Sequence, residues 1–154
     1  MATIAQFSQR LSRIANRELL IELLLKAIDE TQKIAISLQR QQLEEGYNSE
    51  EKEIGRYSKA TELIYQQEGR ISNQPKVAGE LFNFDDTGSF LDGLKLEFTS
   101  SEVLFTSSDS KTDELNFKYR NIFGLDPTNL KNYIMNAVLP KFILSIRLQL
   151  LLKE

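Results

Sequence analysis

The feature that most constrains the fold is a run from Arg17 to about Glu45 that contains neither Gly nor Pro. Apolar residues recur along this run at three- and four-residue spacing, which is the repeat of an α-helix. A single helix over the run would be roughly 40 Å long at about 1.5 Å per residue. Asn16 is suited to cap its first turn, and Gly46 is suited to end it. We therefore predict one long helix that organises the rest of the chain.

Both helical ends of the chain are unusually apolar. The segment from Leu19 to Leu25 is apolar nearly all round, and so is the segment over residues 143–152. A helix of that kind has to be covered on several sides, either by its own domain or by a neighbouring subunit. The interface residues predicted on these helices are Leu23, Leu24, Ile146 and Leu150.

The centre of the chain has the pattern of a β-hairpin. Apolar residues favour strands over residues 89–98 and 101–107, with a tight turn at residues 99–101 between them. A short helix over residues 112–119 follows. Asp126 then caps a C-terminal helix that has Pro127 in its first turn. Pro140 is expected to kink or split that helix.

These elements predict a single α+β domain over residues 1–154. Its helical N-terminal region covers residues 1–45, an extended loop 46–80, the hairpin centre 81–125 and the C-terminal helix 126–154. The two long helices are expected to pack on a small antiparallel sheet. Within the loop, residues 60–67 leave a short helix and extended chain as alternatives.

The long loop carries the tyrosines Tyr47, Tyr57 and Tyr65. Tyrosine is enriched at protein interfaces because it has an apolar body and a polar tip. Ordinary packing and contact with a partner both remain open for these three residues. They complete the set of candidate interface residues.

The composition narrows the classes of function. The chain has no Cys and no His, so thiol chemistry, Cys-ligated metal sites and the commonest general base are all absent. The net charge is −3, which disfavours sequence-independent binding to nucleic acid. No uninterrupted apolar run reaches about 18 residues, so no membrane span is predicted. The N-terminal segment has no signal-peptide pattern. The absence of Cys fits synthesis in a reducing cytoplasm.

The acidic corner in FDDTGSFLDG has two readings. Asp85, Asp86, Asp92 and Asp109 could serve as catalytic carboxylates or hold a divalent ion, but their spacing is not that of a calcium loop. The structural reading is favoured, in which Asp86 caps a turn and Gly88 supplies a backbone conformation with positive φ. We therefore predict no catalytic, metal-binding or cofactor-binding residues.

The segments LFNFDDTGSFLDGLKLEF, SEVLFTSS and LNFKYRNIFGL, in this order, resemble the virion-morphogenesis and tail-completion proteins of tailed bacteriophages. The resemblance covers about residues 38–125. Where family members often have His before the final Phe-Gly, this chain has Asn121-Ile122. The residues that carry the resemblance are Asp86, Thr87, Gly88, Phe90, Gly93, Leu94, Phe123 and Gly124.

The resemblance implies a non-enzymatic virion protein at the head–tail junction. Such a protein forms a ring with copies of itself and joins the portal or its adaptor to the tail. It does not recognise a nucleic-acid sequence, although DNA can pass through the ring. It is made in the host bacterial cytoplasm. Two other hypotheses remain at the sequence level, a non-enzymatic adaptor or regulatory protein and a carboxylate-dependent enzyme.

Overall fold

The structure, a computed structural model, describes residues 4–69 and 75–151 and has the predicted α+β architecture. The outermost residues of the predicted terminal helices, and Gln74 of the predicted extended segment, lie outside the described residues. Three helices precede the centre of the chain: α1 (Ile4–Ile14), α2 (Arg17–Glu44) and α3 (Lys59–Glu68).

The predicted long helix α2 is confirmed together with both of its end signals. Asn16 Oδ1 accepts a hydrogen bond of 2.8 Å from the backbone amide of Glu18. Gly46 follows the helix with φ +84°, a conformation that glycine adopts without a steric penalty. A side chain at Gly46 would also collide with Leu81 and the Phe82 carbonyl.

Residues 46–80 are not one extended loop, and of the two alternatives left open for residues 60–67 the structure contains the short helix. The helix α3 forms within the segment, because Ser58 caps it by accepting from the amide of Thr61 and Gly69 ends it at φ +58°. The chain before α3 is held by a β-bridge between Tyr47 and Glu53.

The hairpin is confirmed, but its first strand begins later than predicted. Residues Ser89–Asp92 form a single helical turn, α4, and strand β1 covers only Leu94–Phe98. The turn forms because the amide of Asp92 donates to the Gly88 carbonyl at 2.8 Å. Strand β2 (Val103–Ser107) pairs antiparallel with β1 and places Phe105 opposite Leu96.

The C-terminal part contains α5 (Thr112–Lys118), α6 (Pro127–Tyr133) and α7 (Leu139–Leu151). Asp126 caps α6 as predicted, accepting from the amide of Asn129 at 2.8 Å. A π-helical turn over Ile134–Val138 joins α6 to α7, so the helical run is not split at Pro140. Because proline has no amide hydrogen to donate, a wider turn just before it accommodates the missing bond.

Two apolar clusters make up the core. The first lies between α2, the hairpin and the C-terminal helices, and includes Ala27, Ala35, Leu96 and Val138. The second lies at the C-terminal end of α2, where its residues are Leu43, Phe90, Leu91, Leu94 and Ile122. The helix α1 packs instead at the other end of α2, against α2 and α7.

Candidate functional site

The Asp-Thr-Gly corner is a turn in the structure, as the sequence predicts. Gly88 has φ +80° and immediately precedes α4. The side-chain acceptor for this turn is the hydroxyl of Thr87, which lies 3.4 Å from the amide of Ser89. The carboxylate of Asp86, expected to cap the turn, accepts from Lys76 Nζ at 2.8 Å. The corner is thus tied to the segment that follows α3.

A cavity of about 380 Å³ opens directly above this corner, and it is the candidate functional site. Its volume lies within the range usual for ligand-binding clefts. Thr61 of α3 lines the cavity, and so do Leu115 and Lys118 of α5. Besides these, the lining consists of Tyr57, Lys76, Phe82, Phe84, Asp85, Asp86, Thr87, Gly88, Ser89, Phe90, Asp109, Lys111 and Tyr119.

Aromatic rings in mutual contact form much of the cavity wall. The ring of Phe82 lies 4.8 Å from that of Tyr57 and 5.3 Å from that of Tyr119, both in edge-on geometry. Phe84 lies 5.6 Å from Tyr119 and 5.5 Å from Phe90. Such pairs add stabilisation beyond the area they bury. The wall is therefore preformed and suits an apolar or aromatic side chain.

The tyrosine at the base of the wall is fixed by a buried hydrogen bond. Tyr57 donates its hydroxyl proton to Asn83 Oδ1 at 2.7 Å, and burial raises the pKa of Tyr57 above its ordinary value. Tyr57 therefore remains protonated at neutral pH. Of the two alternatives left open for Tyr57, its burial and this hydrogen bond favour ordinary packing.

Charged groups on the cavity rim are engaged with each other. Lys76, whose side chain is only 14% exposed, pairs with Asp86 at 2.8 Å. Asp109 accepts from the hydroxyl of Ser89 and the amide of Lys111, and these hydrogen bonds lower the pKa of its carboxyl. A carboxyl that acts as a general acid or base at neutral pH needs a raised pKa instead.

Metal binding finds no support in the described ranges 4–69 and 75–151. No group of three or more His, Cys, Asp or Glu residues within them is placed to hold an ion. The arrangement can instead bind an apolar side chain inside the cavity and polar or charged groups at its rim.

The structure brings the two halves of the sequence motif together. Phe90 and Phe123 have ring centroids 6.0 Å apart, and both pack on the second core cluster with Leu94. Gly93 has no room for a side chain, since a Cβ would lie 2.7 Å from Ser107 Oγ. Gly124 has φ +113°, a value that favours glycine.

Two buried glutamines of α2 hold the Gly124 corner, and sequence reasoning did not predict this role. Gln39 donates to the Ile122 carbonyl at 2.9 Å and accepts from the Gly124 amide at 2.7 Å. Gln42 donates to the Gly124 carbonyl at 3.1 Å and accepts from the Asp126 amide at 2.8 Å. The sequence signal was Gln42 on a face of α2 whose other residues are apolar except for Thr31.

The predicted interface residues on the long helices separate into buried and accessible groups. Leu23 is buried within the chain, so it leaves the set of accessible contact residues. Leu24 is exposed, and Ile146 and Leu150 are partly exposed. In the loop, Tyr47 is exposed and Tyr65 is partly buried with its ring 5.9 Å from Lys76 Nζ.

Large apolar side chains remain exposed where α1 meets α7. The guanidinium of Arg10 donates to the Leu150 carbonyl at 2.8 Å and holds the two helices together. Even so, Ile4 is 91% exposed, and Phe7 and Leu11 on the same stripe of α1 are exposed as well. The exposed residues of α7 are Ile143, Leu144, Leu148 and Leu151.

In the part of the chain that the structure describes, one helix, Pro127–Leu151, is long and apolar enough to cross a membrane. Only 11% of its most apolar window is buried in the chain. The core helices of soluble proteins also pass this test, so the finding is weak evidence for a membrane span.

Comparison with known proteins identifies no relative of this chain. No family model, curated protein or solved structure matches this chain.

Proposed function

We propose that this chain is a non-enzymatic structural protein of a tailed bacteriophage, which forms part of the ring at the head–tail junction. The observation that carries the proposal is the exposed apolar surface of α1 and α7. Monomeric soluble proteins rarely leave a large contiguous apolar surface in water. Contact with further copies and with portal, adaptor or tail proteins would bury it.

The resemblance in the centre of the chain supports the same proposal. The residues of the resemblance have structural roles and not catalytic ones. Gly88 and Gly124 form turns, and Phe90, Leu94 and Phe123 pack in the core beneath them. A ring protein needs a rigid centre of this kind to present its surfaces in a fixed orientation.

The cavity favours binding over catalysis. Its carboxylates Asp86 and Asp109 are held in an ion pair and in hydrogen bonds, respectively. The sequence offers neither His nor Cys as a partner for them. We accordingly propose no cofactor, no metal and no reaction. The site of action is the assembled virion, after synthesis in the bacterial cytoplasm.

The proposal is tested by co-expressing the full chain with portal and tail proteins and sedimenting the assembled particles. The chain is expected to travel with the particles. The variant Leu144→Lys with Leu148→Lys is expected to fold but to remain in the soluble fraction. A matched control, Ser37→Lys with Gln41→Lys, places the same charges on exposed positions of α2.

Two results would contradict the proposal. One is a wild-type chain that never joins the particles. The other is a stable dimer that binds a single small partner through the cavity, which would instead support the adaptor hypothesis.

A further inference from the structure

The apolar surface of α1 and α7 has a distinctive charge. α1 carries Arg10 and Arg13 and no acidic residue, and Pro127–Leu151 has three basic residues and no acidic one. The neighbouring α2 carries both signs, and its Glu30 pairs with Lys141 at 3.5 Å, so the surface without acidic residues of its own is that of α1 and α7. We call this surface, which includes the exposed residues Ile4, Phe7, Leu11, Leu144 and Leu148, the basic face.

A surface of opposite charge lies on the centre of the chain. The helices α3 and α5 and the cavity lining together hold seven acidic and four basic side chains, a formal charge of −3. Leu63 and Ile64 are exposed on α3 beside Glu62. On α5, Phe117 is 88% exposed and follows Asp113 and Glu114 by one helical turn.

These exposed residues lie on the two helices that flank the aromatic-walled cavity. Thr61 of α3 and Leu115 of α5 both line it. We call this surface, formed by α3, α5 and the cavity between them, the acidic face. Its shape is suited to an amphipathic helix, which can place its apolar side in a groove and its charged residues at the rim.

The two faces are too far apart to meet within one chain. The basic face lies where α1 packs at the N-terminal end of α2, and the second core cluster under the cavity lies at its C-terminal end. Between them, the 28 residues of α2 span about 42 Å. A second copy, however, offers each face the surface that complements it.

We propose that the basic face of one copy docks on the acidic face of the next copy, head to tail. Such a heterologous contact repeats from subunit to subunit and generates a ring if the rotation closes. Opposite charges steer the encounter and fix its orientation, while the apolar residues of both faces are removed from water. This inference deepens the proposed function and rests on it.

Charge reversal tests the contact by sedimentation velocity on the full chain. Arg13→Glu with Arg147→Glu on the basic face is expected to weaken self-association at least tenfold. Asp113→Lys with Glu114→Lys on the acidic face is expected to do the same. All four changes in one chain exchange the signs of the charges at the altered positions and are expected to restore association.

Matched controls carry the same charge changes outside the two faces. Lys26→Glu with Lys33→Glu alters exposed positions of α2 between its ends, and Glu97→Lys with Glu102→Lys alters the hairpin. Both are expected to leave association unchanged. Circular dichroism and thermal unfolding identify any variant that has lost its fold.

Cross-linking gives a second test that does not depend on charge reversal. Because the chain has no cysteine, Ser12→Cys on α1 and Asn116→Cys on α5 each introduce a single thiol at an exposed position. A short bis-maleimide is expected to join a Ser12→Cys chain to an Asn116→Cys chain. Neither variant alone is expected to cross-link to itself.

Several results would overturn the inference. These are a monomeric wild type, an acidic-face variant that associates normally, or efficient cross-linking of Ser12→Cys to itself, which indicates a symmetric contact. Binding of a monomeric wild type to anionic lipid vesicles would assign the basic face to a membrane surface instead.

The inference and the proposed function can fail separately. If the chain joins phage particles but none of the variants changes its self-association, the proposed function stands and the head-to-tail contact is wrong. If the contact behaves as expected but the chain never joins particles, the contact stands and the virion assignment is wrong.

Discussion

At the scale of single residues, the Asp-Thr-Gly corner depends on its glycine more than on its carboxylates. A Cβ at Gly88 would meet only Asp92 Oδ2, at 3.5 Å, so space is not the constraint. The constraint is φ +80°, which β-branched residues adopt poorly.

We therefore expect Gly88→Val to lower the free energy of unfolding by about 2 kcal/mol, the upper end of the usual penalty for left-handed backbone. Urea denaturation followed by circular dichroism measures the effect. Asp85→Asn, two residues before the corner's Thr87, is the control and is expected to change stability by less than about 0.5 kcal/mol. Equal effects of the two changes would contradict this account, and loss of function in a folded Asp85→Asn variant would reopen the carboxylate question.

The second prediction at this scale concerns Gln39, which is fully buried. Gln39→Leu leaves the Ile122 carbonyl and the Gly124 amide without their partner, and we expect a loss of about 2 to 4 kcal/mol. Gln41→Leu, on an exposed position of the same helix, makes the same chemical change and is expected to be nearly neutral. The midpoints of urea unfolding compare the two, and a neutral Gln39→Leu would show that the glutamine contacts are not needed.

At the scale of elements, α2 packs closely because it presents small side chains to its neighbours. Ala27 and Ala35 are buried in the first cluster, and Thr31 between them contacts the Tyr133 hydroxyl at 2.8 Å. These three residues lie four apart and so form one stripe of the helix.

We expect Ala35→Leu to destabilise the fold by about 1 to 3 kcal/mol, because added methyl groups have no space in a packed core. The control Ser37→Leu introduces the same side chain at an exposed position of α2 and is expected to be tolerated. Thermal unfolding distinguishes them. A stable Ala35→Leu variant would mean that α2 and the C-terminal helices are loosely packed.

Elements whose signals are local were predictable from the sequence. Asn16, Gly46 and Asp126 mark helix ends through contacts within a few residues, and all three are confirmed. The predicted start of β1 was too early because Phe90 and Leu94 lie on one buried side both in a strand and in a helical turn. Their four-residue spacing also fits the helical turn that the structure contains.

Features that depend on distant contacts were not predictable. The hydrogen bonds from Gln39 and Gln42 reach residues 82 to 85 positions away along the chain. The cavity likewise forms only when α3, the Asp-Thr-Gly corner and α5 come together. The sequence marked the corner but contained no local signal for the wall above it.

At the scale of the whole molecule, the charge is unevenly distributed although the net charge is only −3. We expect the dissociation constant of self-association to rise about tenfold between 0.05 and 0.5 M NaCl, because salt screens the contact between the two faces. Sedimentation velocity at a series of salt concentrations measures this. Association that strengthens with salt would indicate a contact made by apolar burial alone.

The hydrogen bonds that Gln39 and Gln42 make to the Gly124 corner also affect the timescale on which that corner opens. The amides of Gly124 and Asp126 lie outside every helix and strand, yet each is bonded to a buried side chain of α2. In deuterated solvent, these two amides should exchange as slowly as those in the middle of a helix, since both require α2 to move away first. The exchange rates of these two loop amides would then report how often the whole domain opens.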